Sequence, residues 1–246
     1  MSEREWYKDW FNSTFYHKLY FERDEREAQA FIKRLLDHFT PSKDCRMLDV
    51  ACGKGRHSRF LAGLGYDVTG IDISNDSVNY ALQFQRDNLR FYVHDMRLLF
   101  WVNYFDYAFN FFTSFGYFAT RREHDDAMRT IAGGLRPSGT VLFDYLNVHY
   151  IEENLIHNEQ KLIDDTHYEI HRWHDETHFH KRIIITDPQL DKPYEFVEKV
   201  AKFSLGDFTD MLSFQKMQVS EVFGNYNLEP YHVKNTPRMI IVAKKP

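Results

Sequence analysis

Residues 48–55 read Leu48-Asp49-Val50-Ala51-Cys52-Gly53-Lys54-Gly55, a short apolar run that ends in a glycine-bearing loop. His57 to Leu64 follow with helical spacing, so the segment reads as strand, glycine turn and helix, the opening of a βαβ unit. A glycine loop at the carboxyl end of a first strand lets a ligand approach bare backbone, where a side chain would collide. Asp72 closes the second apolar run, Asp67 to Asp72, where a carboxylate can accept both hydroxyls of a ribose. A dinucleotide fingerprint is poorly matched. The registers Ala51/Gly53/Arg56 and Gly53/Gly55/Ser58 both lack the third glycine, and no upstream glycine completes a phosphate loop.

Outward from this segment the pattern repeats. Ser74 to Asp76 supply cap candidates for a helix with Val78, Ala81, Leu82 and Phe84 on its apolar stripe, and Leu89 to Val93 reads as a third strand. Phe105 to Asn110 is a fourth strand, Arg121 to Leu135 a helix, and Gly139 to Tyr145 a fifth strand after the turn Arg136-Pro137-Ser138-Gly139. Strands alternating with helices of this length predict a parallel sheet wound by right-handed crossovers. From about Ile151 the character changes. Tyr168 to Trp173, Phe179 to Thr186 and Tyr194 to Phe203 alternate apolar and polar residues, as half-exposed antiparallel strands do. Leu205 to Met217 returns to helix, and Gln218 to Phe223 and Met239 to Ala243 read as strands. Upstream, Asp24 is a candidate N-cap, with Glu27 three positions on, for a helix stopped by Pro41. The organisation expected is an N-terminal aromatic segment and helix over 1–40, a ligand-binding core over 41–150, an antiparallel β insertion over 151–204, and completion of the core sheet by 205–246.

The chain has 246 residues, 43% apolar and 27% charged, the values of an ordinary globular protein. A net charge of −5 argues against a broad phosphate-tracking surface, so no nucleic-acid partner is expected. No apolar run approaches the ~20 residues of a membrane span, and Ser2-Glu3-Arg4-Glu5 lack the apolar core of a secretory signal, so no membrane partner and a cytoplasmic location are expected. Aromatic residues reach 17%, and the first 23 residues alone hold Trp6, Tyr7, Trp10, Phe11, Phe15, Tyr16, Tyr20 and Phe21. That suits either a dense core or a roomy aromatic pocket.

Residues 45–146 resemble the class I S-adenosylmethionine-dependent methyltransferases. Leu48 to Gly55 is similar to that family's glycine loop, with Ala51 in place of its usual first glycine, a replacement that fits so long as φ is negative. The resemblance implies a Rossmann-like α/β fold: a seven-stranded, mostly parallel sheet with an antiparallel last strand, carrying a small antiparallel β insertion after the fifth strand. It implies S-adenosyl-L-methionine as cofactor, with Asp72 on the ribose, Ile73 packing on the adenine, and Asp95-Met96 at the adenine edge. Ala51, Gly53 and Gly55 form the loop. Asp49 serves either the loop or the cofactor's amino group, and Asn110 either ends its strand or offers its carbonyl to the methionine ammonium. A narrower resemblance rests on Thr113-Ser114-Phe115-Gly116-Tyr117 together with the segment 164–203. It looks like the branch containing N,N-dimethyltransferases of nucleotide-linked amino sugars and, more distantly, glycine N-methyltransferase. It implies that Tyr117 lies beside the acceptor and that Tyr16 and Tyr20 cover the sulfonium end.

The function expected is methyl transfer to N or O of a small-molecule acceptor, an amine or a hydroxyl compound. A non-catalytic S-adenosylmethionine-binding module is the alternative the same motifs permit. The insertion either covers the acceptor or pairs two copies of the chain into a homodimer. His171, His174, His178 and His180 read as an exposed sheet face and no metal is expected; Cys45 and Cys52 lack zinc-site spacing.

Overall fold

Met47, Leu48 and Val50 are buried in β1 (Arg46–Val50), the strand around which the main sheet is laid. The computed structural model describes residues 6–20 and 25–246. β1 pairs in parallel with β2 (Asp67–Asp72), which pairs in parallel with β3 (Leu89–Val93). On its other side β1 pairs in parallel with β4 (Phe105–Asn110), and β4 with β5 (Leu135–Leu146). The chain thus builds outward from β1 in one direction, then returns to β1 and builds in the other. That reversal opens a crevice at the carboxyl ends of β1 and β4, the place where open α/β sheets bind ligands.

The insertion forms a separate four-stranded antiparallel sheet in chain order: β6 (Asn158–Ile163), β7 (Thr166–His174), β8 (His178–Thr186) and β9 (Tyr194–Ala201). β10 (Gln218–Phe223) and β11 (Arg238–Lys244) then complete the main sheet, whose order is β10-β11-β5-β4-β1-β2-β3. β11 runs antiparallel to both its neighbours, the arrangement expected of the last strand.

Helices α3 (Glu25–Phe39), α4 (Arg56–Gly63) and α5 (Asn75–Ala81) follow two short ones, α1 (Trp6–Asn12) and α2 (Thr14–Tyr20). α6 (Arg121–Gly134), α7 (Val148–Glu153) and α8 (Leu205–Phe214) come later in the chain. The residues of α3 and α4 share a core with one face of the main sheet, and those of α6 and α8 share a core with the other. Capping boxes at Thr120/Glu123 and Ser204/Asp207 start α6 and α8, each Ser/Thr cap worth about 1 kcal/mol. α1 and α2 contribute Trp10 and Leu19 to a third core, built with Tyr168, Ile170, Ile183, Ile185 and Phe196 of the inserted sheet.

Three readings of the sequence differ from these elements. The turn expected at Arg136-Pro137-Ser138-Gly139 is a bulge inside β5. The ladder to β4 steps from Phe105↔Leu135 to Tyr107↔Thr140, and Ser138 takes φ +65°. The helix expected to reach Met217 stops at Phe214: Lys216 turns left-handed at φ +61° and Met217 N–H bonds back to Leu212 O at 3.0 Å. β6 and α7 had no counterpart in the reading, because β6 is an edge strand whose side chains are exposed or half-buried and show no alternation. Asp24 and Phe21 lie outside the described residues.

Candidate cofactor and acceptor site

The loop after β1 is held by backbone bonds. Cys52 N–H donates to Ile71 O at 3.0 Å and Gly55 N–H to Cys52 O at 3.0 Å. These bonds accompany a left-handed run: Ala51 has φ +62°, Gly53 +54° and Gly55 +76°. Alanine at the first position is therefore in the conformation that glycine would relieve, at a cost of roughly 1 kcal/mol. A Cβ on Gly53 would meet nothing within 4 Å, so the backbone there faces open space, whereas one on Gly55 would lie 2.5 Å from the Phe91 ring. Gly53 is thus a place of approach, and Gly55 serves the packing of α4 on β3.

Asp72 closes β2 against this loop. One carboxylate oxygen accepts Gly53 N–H at 2.8 Å and the other accepts Ser74 N–H at 2.8 Å. Burial pushes its pKa up, and these backbone donors oppose the rise. A carboxylate has about four acceptor sites, so these backbone bonds leave capacity for a ligand hydroxyl. A cavity of about 640 Å³ opens above it. Ala51, Gly53, Asp72, Ile73, Asp95 and Met96 line one part, and Tyr16, Tyr20 and Tyr117 another.

Asp49, Gly55 and Asn110 do not line the cavity and stand one layer behind it. Asp49 is buried and accepts a bond from Ser58 Oγ at 2.5 Å, and burial lifts its pKa to about 6 against that bond. Asn110, also buried, donates from Nδ2 to Val50 O at 3.2 Å, tying β4 to the root of the glycine loop. Asp95 is engaged by Arg97, whose Nη2 lies 2.6 Å from Oδ2, and Arg97 reaches on to Glu123 at 2.7 Å. That chain of charges fixes the β3 exit against the first turn of α6.

The loop after β4 is the most distorted part of the wall. Phe112 and Thr113 are both left-handed, at φ +55° and +58°. Asp144 of β5 holds them: its carboxylate accepts Phe112 N–H at 2.8 Å and its carbonyl accepts Thr113 N–H at 2.9 Å. Arg238 of β11 pairs with the same carboxylate at 2.6 Å and donates to Thr113 Oγ1 at 2.9 Å. Gly116 follows at φ +101°, where a Cβ would strike Tyr145, and its carbonyl accepts Ala201 N–H at 2.9 Å. The loop is thereby stitched to the end of β9, and Tyr117 is set with its ring 5.3 Å from that of Phe11 and 5.8 Å from that of Trp6.

α1 and α2 roof the cavity and bridge both sheets. Ser74 Oγ donates to Asn12 Oδ1 at 2.5 Å on the main-sheet side; Lys18 Nζ donates to Thr166 Oγ1 at 2.7 Å on the insertion side. His17 lines the roof with Nε2 unbonded, and its pKa is lowered to about 4 by burial and then by Lys54. Across from it, Glu198 of β9 accepts bonds from Trp10 Nε1 at 2.7 Å and Tyr20 Oη at 2.9 Å, with Lys181 Nζ 3.5 Å away. The sequence reading missed His17 and Glu198. For Glu198 the signal was present: it shares the inward phase of β9 with Phe196 and Val200.

Of the four histidines, His171 bonds Asn158 and Glu169, His180 bonds Asp175 and stacks on Trp173, and His174 lies beside Lys202. Among the described residues no group of three His, Cys, Asp or Glu side chains is arranged to hold a metal, and no helix is long and apolar enough to cross a membrane.

Residues 41–199 match the family model described as a methyltransferase domain. Over 145 residues the chain is 30% identical to glycine N-methyltransferase of Rattus norvegicus, covering 52% of this chain and 50% of that one. Over 124 residues it is 32% identical to dTDP-3-amino-3,6-dideoxy-alpha-D-glucopyranose N,N-dimethyltransferase of Streptomyces fradiae, covering 50% and 47%. The chain thus spans about half the length of the curated relatives it matches. In three dimensions it superposes on an S-adenosylmethionine-dependent methyltransferase of Clostridium acetobutylicum with a TM-score of 0.78, at 18% identity over 94% of this chain and 96% of that one. Sequence match, sheet order and the loop–carboxylate geometry agree, and the chain belongs to the class I S-adenosylmethionine-dependent methyltransferases.

Proposed function

We propose that this protein transfers the methyl group of S-adenosylmethionine to a nitrogen or oxygen of a small molecule held in the same cavity. The observation that carries this reading is the continuity of the cavity: a glycine loop and ribose-type carboxylate line it together with aromatic residues of α1, α2 and the β4 loop. The residues present fit the cofactor. Gly53 leaves open space for it, Asp72 keeps acceptor capacity, and Ile73 and Met96 offer apolar surface. When bound, S-adenosylmethionine supplies a methyl group already activated by its sulfonium.

The chain's own contribution is then alignment and exclusion of water, where effective molarity supplies most of the rate. Tyr16, Tyr20 and Tyr117 line the cavity, and on this reading their rings stand beside the reacting centre, where they favour a cation electrostatically. The two relatives above are named for amine acceptors, which weights the choice towards nitrogen. The test is calorimetry with S-adenosylmethionine followed by a screen of acceptors rich in amines and amino sugars, scored by release of the demethylated cofactor. Binding with turnover of one acceptor class is expected. Binding with no turnover across the screen favours a non-catalytic binding module instead.

A further inference from the structure

Glu198 is the one charged side chain that the inserted sheet brings to the cavity wall, among the described residues. It sits between Phe196 and Val200 on the inward phase of β9, where packing alone asks for another apolar residue. Its carboxylate is fixed by Trp10 Nε1–H at 2.7 Å and Tyr20 O–H at 2.9 Å, both on the same oxygen. Lys181 stands 3.5 Å from the other oxygen and does not line the cavity, so the negative member of the pair faces inward and the positive member backs it. A buried ion pair contributes little stability against an apolar replacement, so its placement on the cavity wall favours a role in recognition. A run of rings connects it to the β4 loop: Tyr117 to Phe11 at 5.3 Å, Phe11 to Tyr16 at 5.0 Å, Tyr16 to Tyr20 at 4.8 Å, and Tyr20 Oη to Glu198.

We propose that Glu198 selects the acceptor, and that the acceptor it selects is an amine whose N–H donates to this carboxylate. The inference rests on the methyl-transfer reading and narrows it. In the step itself the lone pair of a neutral amine forms the new N–C bond as the C–S bond breaks, and the broken bond's electron pair stays on sulfur. Positive charge passes from sulfur to nitrogen, and a proton then leaves that nitrogen to water. Charge therefore grows on the atom that the carboxylate faces, an interaction stronger in the transition state than before it. A carboxylate or phosphate at the same place meets like charge in a poorly hydrated wall.

The test uses two matched sets of compounds: a hexosamine, hexose and hexuronate, and benzylamine, benzyl alcohol and benzoate. Calorimetry first gives the affinity of the full chain and of Glu198→Gln for S-adenosylmethionine and for its demethylated product. The product-loaded protein is then titrated with each compound, and the S-adenosylmethionine-loaded protein is assayed for turnover. Amines are expected to bind about tenfold or more tightly than their hydroxyl and carboxylate counterparts. Glu198→Gln is expected to raise amine Kd and KM by about tenfold while cofactor affinity stays within about twofold. A cofactor-binding parent that shows no preference for amines, or binds none of the six, overturns the proposal, as does a folded Glu198→Gln with unchanged amine affinity. The parent's selectivity needs no variant, so a Glu198→Gln chain that does not fold leaves the test decisive. Failure of the parent to bind S-adenosylmethionine overturns the methyl-transfer reading instead.

Discussion

Arg238 of β11 and Asp144 of β5 meet at 2.6 Å across an antiparallel ladder, and through that pair the strand next to the sheet's edge holds the backbone of the β4 loop. Asp144 is fully buried and spends its second oxygen on Phe112 N–H and Tyr226 Oη. Arg238→Met strands this carboxylate without its cation, which costs about 3–5 kcal/mol for a buried pair. Urea denaturation should show a loss of that order, and the amides of Phe112 and Thr113 should lose protection from hydrogen exchange. Unchanged stability and protection would show that the loop holds its left-handed turn unaided.

Asp72→Ala should weaken S-adenosylmethionine binding by ~1.5–3 kcal/mol, the worth of hydrogen bonds to a charged group. Calorimetry reads this directly. Asp72→Asn, which keeps the side chain's shape and one acceptor oxygen, should fall between the two. Parent-like affinity in the alanine variant removes Asp72 from the ribose.

Tyr117→Ala should lower turnover by about tenfold or more, equal to roughly 1.4 kcal/mol of transition-state stabilisation, while cofactor affinity is retained. Tyr117→Phe keeps the ring against Phe11 and Trp6 and isolates the hydroxyl. Lost cofactor binding in either variant, with no effect on the acceptor, places Tyr117 elsewhere.

His124 is 2% exposed on α6 and packs against Phe115, Phe118 and Phe203; burial lowers its pKa to about 4. The unfolded chain, with an ordinary imidazole near 6.5, binds the extra proton first, so stability falls as pH drops from about 6.5 to about 4. Asp49 works against this. Its pKa is raised to about 6, so it stabilises the fold fully below its ordinary value of 3.8 and loses that contribution as pH climbs through 6. Each unit of displacement is worth about 1.4 kcal/mol. Denaturation curves between pH 4 and 7 should therefore fall less steeply toward acid for His124→Gln than for the parent; parallel curves would remove His124 as a source of acid sensitivity.

The main sheet was legible in the sequence because its strands end in chemistry that punctuates them: a glycine loop after β1, Asp72 as the last residue of β2, Asn110 as the last residue of β4. What sequence spacing did not carry was orientation. Asp49, Gly55 and Asn110 are chain neighbours of cavity residues, and their side-chain positions bond to Ser58, pack on Phe91 and bond to Val50 O one layer behind the lining. The sign of φ at Ala51 is likewise set from outside the motif, with Cys52 N–H bonded to Ile71 O on the neighbouring strand. Glu198 carried a signal in its shared phase with Phe196 and Val200 but was passed over for a different reason. One carboxylate in an alternating strand reads as solvated surface until the opposite face is known to be exposed.

The position of β11 bears on how the molecule is made. Residues 238–244 sit between β5 and β10, and Met239 to Ala243 are almost completely buried there. During synthesis, a nascent chain that has not yet presented residues 238–244 has no strand with which to separate β5 from β10. Until then Val141, Leu142 and Phe143 present an unpaired apolar edge of the kind that recruits other chains. Completion of the sheet is therefore a late, long-range event, and until it occurs the chain is open to aggregation or to a holding chaperone.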